Sequence, residues 1–184
     1  IRDTLKARHL GAKNHSIPMV APVQFVAHSC AIDPYLLGVL LGDGSLRRDG
    51  ISVSSADDEI LDSVRAAIPD DCELVHTAAY DWRIAYRGQM AYVAGRGGLA
   101  RSHPILIELA RLGLEGTKSH EKFVPDEYLV NSVETRVAVL QGLMDTDGWV
   151  QRHSVCFTTT SLRLACDITQ IIQSLGGTAT RTTR

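Results

Sequence analysis

An apolar run that ends in an acid and a glycine occurs twice in the chain. The first, LLGVLLGDG, follows Asp33, which can cap a helix with Pro34 at its first position. The second, LQGLMDTDG, lies in a stretch that Asn131 or Ser132 can cap. We therefore expect two helices, one running to Asp43 with Gly44 as its stop, the other running to Asp147 with Gly148 as its stop.

Strand and turn signals follow each expected helix in the same order. Arg48-Asp49-Gly50 is typical of a hairpin turn, and the residues after it alternate strictly between apolar and polar. The pattern predicts strands at 51–54, 82–86 and 155–158, and further helices at 56–68, 102–112 and 161–175. Each stretch thus reads as a helix, a hairpin and a second helix.

The two stretches match each other without a gap when the sequence is shifted by 104 positions. The shift pairs Gly38 with Gly142, Asp43 with Asp147, Gly44 with Gly148, Ile51 with Val155, Val53 with Phe157 and Val64 with Ile168. Such a repeat indicates two copies of one unit related by pseudo-two-fold symmetry. Residue 184 corresponds to position 80, so we expect the second copy to be completed by further sequence or by another chain.

Charge is distributed unevenly along the chain. The formal net charge of -2 argues against a generic nucleic-acid binder, which is usually basic. However, residues 33–73 hold ten acids and three bases, whereas residues 81–122 hold seven bases and four acids. This segregation is consistent with a polyanion on one surface, although charge alone favours the simpler explanation of solvated faces.

Composition excludes several other classes. No apolar run reaches the roughly 18 residues that a membrane span needs, and the N-terminal sequence is too charged for a signal peptide, so we expect a cytoplasmic protein. The four cysteines form no CxxC pair and no metal spacing with the histidines. We interpret them as buried thiols rather than as zinc ligands or disulfides.

Small residues on the two motif helices predict that these helices pack together. Gly38 and Gly42 share one helix face, and Gly142 and Thr146 occupy the equivalent face. Close packing would bring the Asp43 and Asp147 carboxylates together at two negative helix ends, which is costly without a cation. Hard oxygen ligands suit Mg²⁺, held against a phosphate. The alternative is that each acid and glycine merely ends a helix.

LLGVLLGDG and LQGLMDTDG resemble the two signature motifs of the LAGLIDADG homing endonucleases. The second matches at nearly every position, and the first departs at Leu41, where the motif has an acid. Over residues 33–184, the resemblance implies an α+β fold of two αββαββ-type units, a two-helix central seam and a β-saddle over duplex DNA. It also implies Mg²⁺-dependent cleavage of both strands at a long specific site. The second unit is incomplete, and the domains expected are 31–130 and 131–184.

Two further likenesses point to the intein-borne branch of that family. GTKSHEKFVPDEYL resembles the block before the second motif in intein endonucleases, where a lysine assists catalysis, and this role falls on Lys122. Upstream, LKARHLGAKNHSIPMVAPVQF resembles the junction with a splicing domain, so residues 1–30 are expected to be a linker or its remnant. The chain has no terminal His-Asn pair and could not splice by itself, so its partners would include the remaining intein segments or a complementary chain.

These observations give a set of candidate site residues. The metal ligands expected are Asp43, Asp147 and the backbone carbonyls of Gly42 and Thr146, with Lys122 stabilising developing charge or assisting the water. Strand alternation assigns to the DNA face Ser52, Ser54, Arg83 and Arg87 in the first unit, and Thr158, Thr160 and Arg181 in the second. Arg48 and Arg152, near equivalent hairpin turns, are candidate phosphate contacts. Each of these DNA-contact candidates could equally be a solvated surface residue.

Two rival interpretations remain open from the sequence. In one, the chain has the same fold and binds nucleic acid without cleaving it, as in an RNA maturase or a decayed endonuclease. The other relates DTDG to the D-x-D of aspartyl phosphatases or the D-T-G of aspartic proteases. Those motifs end strands, and they predict neither the small-residue face nor the repeat.

Overall fold

The structure is a computed structural model that describes residues 18–88, 90–93, 98–101, 103–152 and 154–183, with only the backbone of 90–93 and 98–101. Most of the segment expected to be a splicing-domain remnant, residues 1–17, lies outside these ranges, as does Ser102, the predicted start of one helix. Among the described residues, no helix is both long enough and apolar enough to cross a bilayer.

The first unit is an α+β arrangement, as the sequence predicts. Its elements are α1 (Pro34–Gly42), β1 (Gly44–Arg47), β2 (Gly50–Ser54), α2 (Asp58–Ala67), β3 (Cys72–Ala78), β4 (Asp81–Tyr86), β5 (Met90–Val93), β6 (Gly98–Arg101) and α3 (Pro104–Arg111). The first four strands form an antiparallel sheet in the order β1-β2-β4-β3, and β5 pairs with β6. The alternating residues of β2 and β4 therefore come from neighbouring strands of one sheet.

A connection and the second unit follow. A short 3₁₀ turn (Ser119–Glu121) and α4 (Asp126–Leu129) lead into α5 (Val133–Asp147), β7 (Gly148–Gln151), β8 (Ser154–Phe157) and α6 (Leu162–Ser174). Ser132 caps α5, since its hydroxyl accepts a hydrogen bond from the Thr135 N–H at 3.2 Å. Asn131, the other candidate cap, instead binds the segment that precedes α1.

The internal repeat is visible in the backbone hydrogen bonds. The N–H of Ser54 donates to the Asp43 carbonyl at 3.3 Å, and the N–H of Thr158 donates to the Asp147 carbonyl at 3.4 Å. The hairpin registers also correspond, because Gly44 pairs with Val53 as Gly148 pairs with Phe157. Every one of these pairs is related by the shift of 104 positions, so the two copies share one geometry.

Several predicted boundaries shift by one or two residues. Helix α1 ends at Gly42 and Asp43 is its C-cap, so Gly44 already begins a strand. Gly44 does not need a left-handed conformation there. A Cβ at this position would instead lie 2.6 Å from the Leu40 Cα, and one at Gly148 would lie 2.9 Å from the Met144 Cα. Both glycines are thus required by the close return of the chain onto the preceding turn.

Both units contribute to one buried core. It includes Leu37 and Ile51 from the first unit and Leu143 and Ile168 from the second. The predicted burial of all four cysteines is wrong, because only Cys72 is buried and the others are half-buried or exposed. A buried thiol needs a position on an inward face, and Cys166 lies on the solvent side of α6.

Residues 18–30 carry no helix or strand and are attached to the second unit. The Val23 N–H donates to the Ser174 carbonyl at 2.8 Å. Asn131 holds His28 from both sides, accepting its N–H at 3.0 Å and donating to its carbonyl at 3.1 Å. Arg136, a fully buried cation, donates to the Val23 carbonyl and the Ser174 hydroxyl. This segment therefore packs as part of the fold, and the division at residue 30 stays a prediction.

The second unit covers its hairpin less completely than the first. Leu46 and Ile51 are 2% and 0% exposed, whereas their counterparts Val150 and Val155 are 75% and 71% exposed. Residues 175–183, which correspond to the loop and strand at 71–79, form no strand. In the first unit that strand pairs with β4, and the positions equivalent to β4 fall after residue 184.

Candidate active site and nucleic-acid interface

Helices α1 and α5 pack with their backbones in contact at two glycines. A Cβ on Gly142 would lie 2.8 Å from the Val39 nitrogen and 3.0 Å from the Gly38 Cα. A Cβ on Gly38 would lie 3.0 Å from both the Gly142 Cα and the Leu143 nitrogen. Neither backbone can move aside alone, so the seam accepts only glycine at this crossing. The close packing predicted from the small residues is confirmed.

One turn further on, the seam continues as a glycine against a threonine. A Cβ on Gly42 would lie 2.8 Å from the Thr146 Cβ and 3.5 Å from Oδ2 of Asp147. The Thr146 hydroxyl is turned back along its own helix, where it donates to the carbonyls of Gly142 at 3.1 Å and Leu143 at 2.9 Å. The Asp147 carboxylate therefore reaches across the seam to the last residue of α1.

Asp43 and Asp147 stand together at the ends of the two helices. Partial burial raises the pKa of both carboxyl groups, and the negative charge of Asp43 raises that of Asp147 further. The nearby Lys122 ammonium opposes both shifts. Burial and repulsion thus disfavour the ionised carboxylates, and a bound cation would relieve both effects.

Lys122 is buried beneath this pair, with 4% of its surface exposed. Its ammonium donates to the carbonyls of Leu40 at 3.0 Å, Gly42 at 2.9 Å and Gly44 at 2.7 Å. Burial lowers its pKa to about 8, while the negative charges of Asp147 and Asp43 act in the opposite direction. A lysine has three N–H donors, and here two are used by the last turn of α1 and the third by the first residue of β1.

The carboxylates and the lysine line one cleft of about 310 Å³. Its walls are formed by Leu41, Gly42, Asp43, Ser119, Lys122, Asp147, Thr158, Thr159 and Thr160. Thr158 and Thr160 were expected on a DNA-reading strand, but β8 ends at Phe157 and both threonines line the cleft that contains the carboxylates. Ser119 and Thr159 were missed, because nothing in their local sequence indicates that two connecting loops meet here.

The oxygen atoms of Asp43 and Asp147 fit Mg²⁺, whereas the Gly42 carbonyl is less available as a ligand. No three His, Cys, Asp or Glu residues cluster within the described ranges, so two carboxylates are the principal protein ligands on offer. That number is enough for Mg²⁺, which usually keeps several waters and uses substrate phosphate oxygens. The predicted carbonyl ligand of Gly42 already accepts a hydrogen bond from Lys122, so a cation would share that oxygen with an ammonium.

The outward face of the first sheet carries the predicted polar residues. Ile51, Val53 and Ile84 are buried, whereas Ser54 and Arg83 are exposed, so the strand alternation was predicted correctly. A shallow cleft of about 430 Å³ lies on this face, lined by Ser45, Arg47, Asp49, Gly50, Ile51, Ser52, Ser54, Thr77, Asp81 and Arg83. Arg47 was missed, although its place in β1, one residue from buried Leu46, marks it as outward.

The other predicted DNA contacts lie in different surroundings. Arg87 follows the end of β4 and pairs with Glu73. The guanidinium of Arg48 lies 3.9 Å from the Glu115 carboxylate, with a highly exposed side chain. Arg152 occupies the equivalent turn in a left-handed conformation, with φ of 54°. Arg181 lies on no strand and contacts the Cys166 sulfur of α6.

The phosphatase and protease interpretations do not fit this geometry. Asp145 and Asp147 both lie in the last turn of α5 rather than after a strand. Asp145 accepts a hydrogen bond from the Tyr35 hydroxyl at 3.1 Å, which ties the two seam helices together. Leu41 is the counterpart of Asp145 in the repeat. The acid that the first motif lacks thus has a structural contact, with Tyr35, in the second motif.

Comparisons with known proteins agree with the seam and its motif. Residues 134–184 match the model of a LAGLIDADG-like domain. The chain is 29% identical to a replicative DNA helicase DnaB of Mycobacterium intracellulare over 96% of its length, and 30% identical to one of Nostoc over 79%. It is 27% identical to the homothallic switching endonuclease of Saccharomyces cerevisiae over 82%.

These matches cover only part of each relative, 25%, 17% and 28% of their respective lengths. The domain match includes the second motif, Gly142 of the seam and the hairpin that follows, and the Mycobacterium match extends over nearly the whole chain. Together with the fold, they identify the chain as a member of the LAGLIDADG homing-endonuclease family.

Proposed function

We propose that this chain is the nuclease part of a site-specific DNA endonuclease that hydrolyses both strands of a long duplex site with Mg²⁺. The observation that carries the proposal is the meeting of Asp43 and Asp147 at the end of a glycine-packed seam, above a buried lysine. Such a pair is unfavourable in a merely structural role, because it places like charges at two negative helix ends.

Asp43 and Asp147 would hold Mg²⁺, which supplies Lewis-acid stabilisation of a scissile phosphate and of the leaving oxygen when it is bound. The protein's own contribution is to hold both carboxylates at a fixed distance, because the helices that carry them are in backbone contact at Gly38 and Gly142. The hydroxyls of Thr158 and Thr160, which line the same cleft, are placed to donate hydrogen bonds to phosphate oxygens.

Lys122 is proposed as a catalytic residue that acts through its positive charge. Its positive charge would reduce the repulsion between the carboxylates and stabilise the negative charge that develops at the phosphate. Taking a proton from the attacking water would require a neutral amine, and giving one to the leaving oxygen would require the ammonium to release one of its three carbonyl acceptors first. We therefore assign it an electrostatic role rather than that of a general acid or base.

The outward sheet face is the proposed DNA surface. Arg47 and Arg83 project from neighbouring parts of this face, and Ser52 lies directly opposite Arg83 in the β2–β4 pair. Arginine can bind guanine edges or phosphates, and a two-stranded ribbon fits the major groove. Asp49 and Asp81 on the same face repel phosphate, so we assign the arginines to base edges and Arg48 and Arg152 at the turns to phosphates.

We further propose that the chain is carried within a host protein, as part of an intein. Two relatives are named as replicative helicases, yet each match occupies a quarter of that protein or less. The chain contains no GxxxxGK[ST] sequence, the nucleotide-binding loop that many helicases use. A nuclease unit inserted into a helicase accounts for both facts. The splicing segments would be its partners.

The test is cleavage of a plasmid that carries the helicase coding sequence joined without the insertion. We expect linearisation with Mg²⁺, none with a chelator, and none with Asp43→Asn or Asp147→Asn. Asp145→Asn is the matched control, since it removes a carboxylate from the same helical turn but lies outside the cleft. Full cleavage by Asp147→Asn would refute the metal assignment.

Binding without cleavage is the informative alternative outcome. Specific binding of the duplex by the wild-type protein, with no cut under any divalent metal, would favour a decayed endonuclease. Binding of structured intron RNA in preference to the duplex would favour a maturase. An affinity for DNA that does not fall with salt would argue against the proposed sheet surface, because phosphate contacts release counterions.

A further inference from the structure

The second hairpin carries a tryptophan on the face that is turned away from the core. Phe157 packs against the core, and Val155 shares its side of β8. Trp149 pairs with Cys156 in the ladder, and residues directly across a ladder share a face. Alternation along the strand therefore places Trp149 and Cys156 on the opposite side from Phe157.

This face corresponds to the outward surface of the first sheet. Ser45 pairs with Ser52 in β1–β2 as Trp149 pairs with Cys156 in β7–β8, and both pairs are related by the shift of 104 positions. Ser45 and Ser52 line the shallow cleft that we propose as the DNA surface. Trp149 thus stands on the equivalent surface of the second unit.

The tryptophan is exposed, which is unfavourable unless something covers it. Its residue surface is 46% accessible, and within the described residues its indole has no hydrogen-bond partner. The chain's other tryptophan, Trp82, is anchored by contrast. Its indole N–H donates to the Ser55 carbonyl at 3.3 Å, and its ring lies 4.6 Å from that of His76.

The two hairpins also differ in the charge of this face. The first carries Arg47, whereas the equivalent position in the second is Gln151. The described strands of the second hairpin hold no charged side chain. The first surface suits hydrogen-bond acceptors such as guanine, and the second suits an apolar group beside polar edges. In the major groove the apolar group on a base edge is the thymine methyl.

We propose that Trp149 contacts a thymine methyl in the half-site bound by the second unit. The two half-sites would then differ in chemistry, with a guanine-rich contact on one side and a thymine contact on the other. This inference rests on the proposed function, since it requires that the sheet surfaces bind duplex DNA. Trp149 is accordingly a specificity-determining residue rather than a catalytic one.

The experiment uses the full chain and the duplex site that wild-type protein cleaves. Each thymine of that site is replaced in turn by uracil, which lacks only the methyl, and affinity is measured for wild type, Trp149→Ser and Leu162→Ser. Serine is the residue that the first unit has at this position, and Leu162 is a control because it is 74% exposed at the start of α6. Trp149 fluorescence is followed in parallel in a Trp82→Phe protein.

We expect one or two uracil substitutions within a single half-site to weaken wild-type binding by about fourfold, the value of one buried methylene-sized group. The same substitutions should leave Trp149→Ser unaffected and weaken Leu162→Ser as they do wild type. DNA binding should change the Trp149 fluorescence. Uracil effects that are equal in wild type and Trp149→Ser, or unchanged fluorescence on a bound and cleaved site, would overturn this proposal alone. Failure of wild type to bind any duplex would overturn the proposed function with it.

Discussion

Replacing Gly142 with alanine tests whether the seam depends on contact between helix backbones. The new methyl would lie 2.8 Å from the Val39 nitrogen and 3.0 Å from the Gly38 Cα. Both atoms belong to the backbone of α1, so no side-chain rotation can relieve the overlap. The two helices must separate, and the carboxylates at their ends would separate with them.

The size of the effect follows from two opposing terms. Alanine in a helix interior is favoured over glycine by about 1 kcal/mol. Overpacking costs about 1–3 kcal/mol, and the upper end applies where the neighbour is backbone. The net loss is therefore about 2 kcal/mol, which corresponds to a fall of about 4–8 °C in Tm for a chain of this length.

The measurement is urea and thermal unfolding followed by far-UV circular dichroism, without metal. Gln141→Ala is the matched control, because it alters the adjacent and exposed position of the same helix. We expect that variant to unfold like wild type. A Gly142→Ala protein as stable as wild type, or more stable, would show that the helices do not approach at this crossing. If the distance between the carboxylates matters, the cleavage rate of Gly142→Ala should be lower than that of wild type even under conditions where the variant is fully folded.

Three other perturbations have outcomes that the structure determines. Burial lowers the pKa of Lys122 to about 8 in the folded protein. In the unfolded chain the same lysine keeps its proton up to about pH 10.4. The free energy of unfolding should therefore rise with pH between these values, and the rise should be smaller in Lys122→Met, as urea titrations at several pH values will show. Without metal, Asp147→Asn should raise Tm, since burial and Asp43 both disfavour the charge; a lower Tm would contradict the repulsion. Arg136→Met should cost about 2–3 kcal/mol and expose residues 18–30 to protease, because it leaves several carbonyls unpaired; unchanged protection would mean that the arginine does not hold them.

The sequence predicts the elements and their pairing because these depend on local signals. The cap at Asp33, the turn at Arg48-Asp49 and the alternation in β2 each act over a few residues, and the structure contains all three. The seam was also predictable, since small residues at equivalent places in both copies of a repeat indicate a close approach of the two helices. The meeting of Asp43 and Asp147 follows from the seam directly.

Contacts that join distant parts of the chain were not predictable in this way. Arg136 is preceded and followed by ordinary helix residues, and only the fold shows that it is buried against Val23. The family resemblance indicated a role for Lys122, but its three carbonyl acceptors depend on how the connection passes beneath α1. Residues 175–183 form no strand, so the assignment of Arg181 to the DNA face stays a prediction.

The glycine seam has a consequence for how such a nuclease could be redirected. Its fit is fixed by main-chain atoms of α1 and α5, whereas the outward sheet surface is formed by side chains of separate strands. Exchanging Arg47, Arg83 or Trp149 therefore leaves the helix crossing and its carboxylates untouched. If the proposed function holds, residues of the DNA surface can thus be exchanged one at a time, whereas any side chain larger than hydrogen at Gly38 or Gly142 would disturb the seam and both carboxylates.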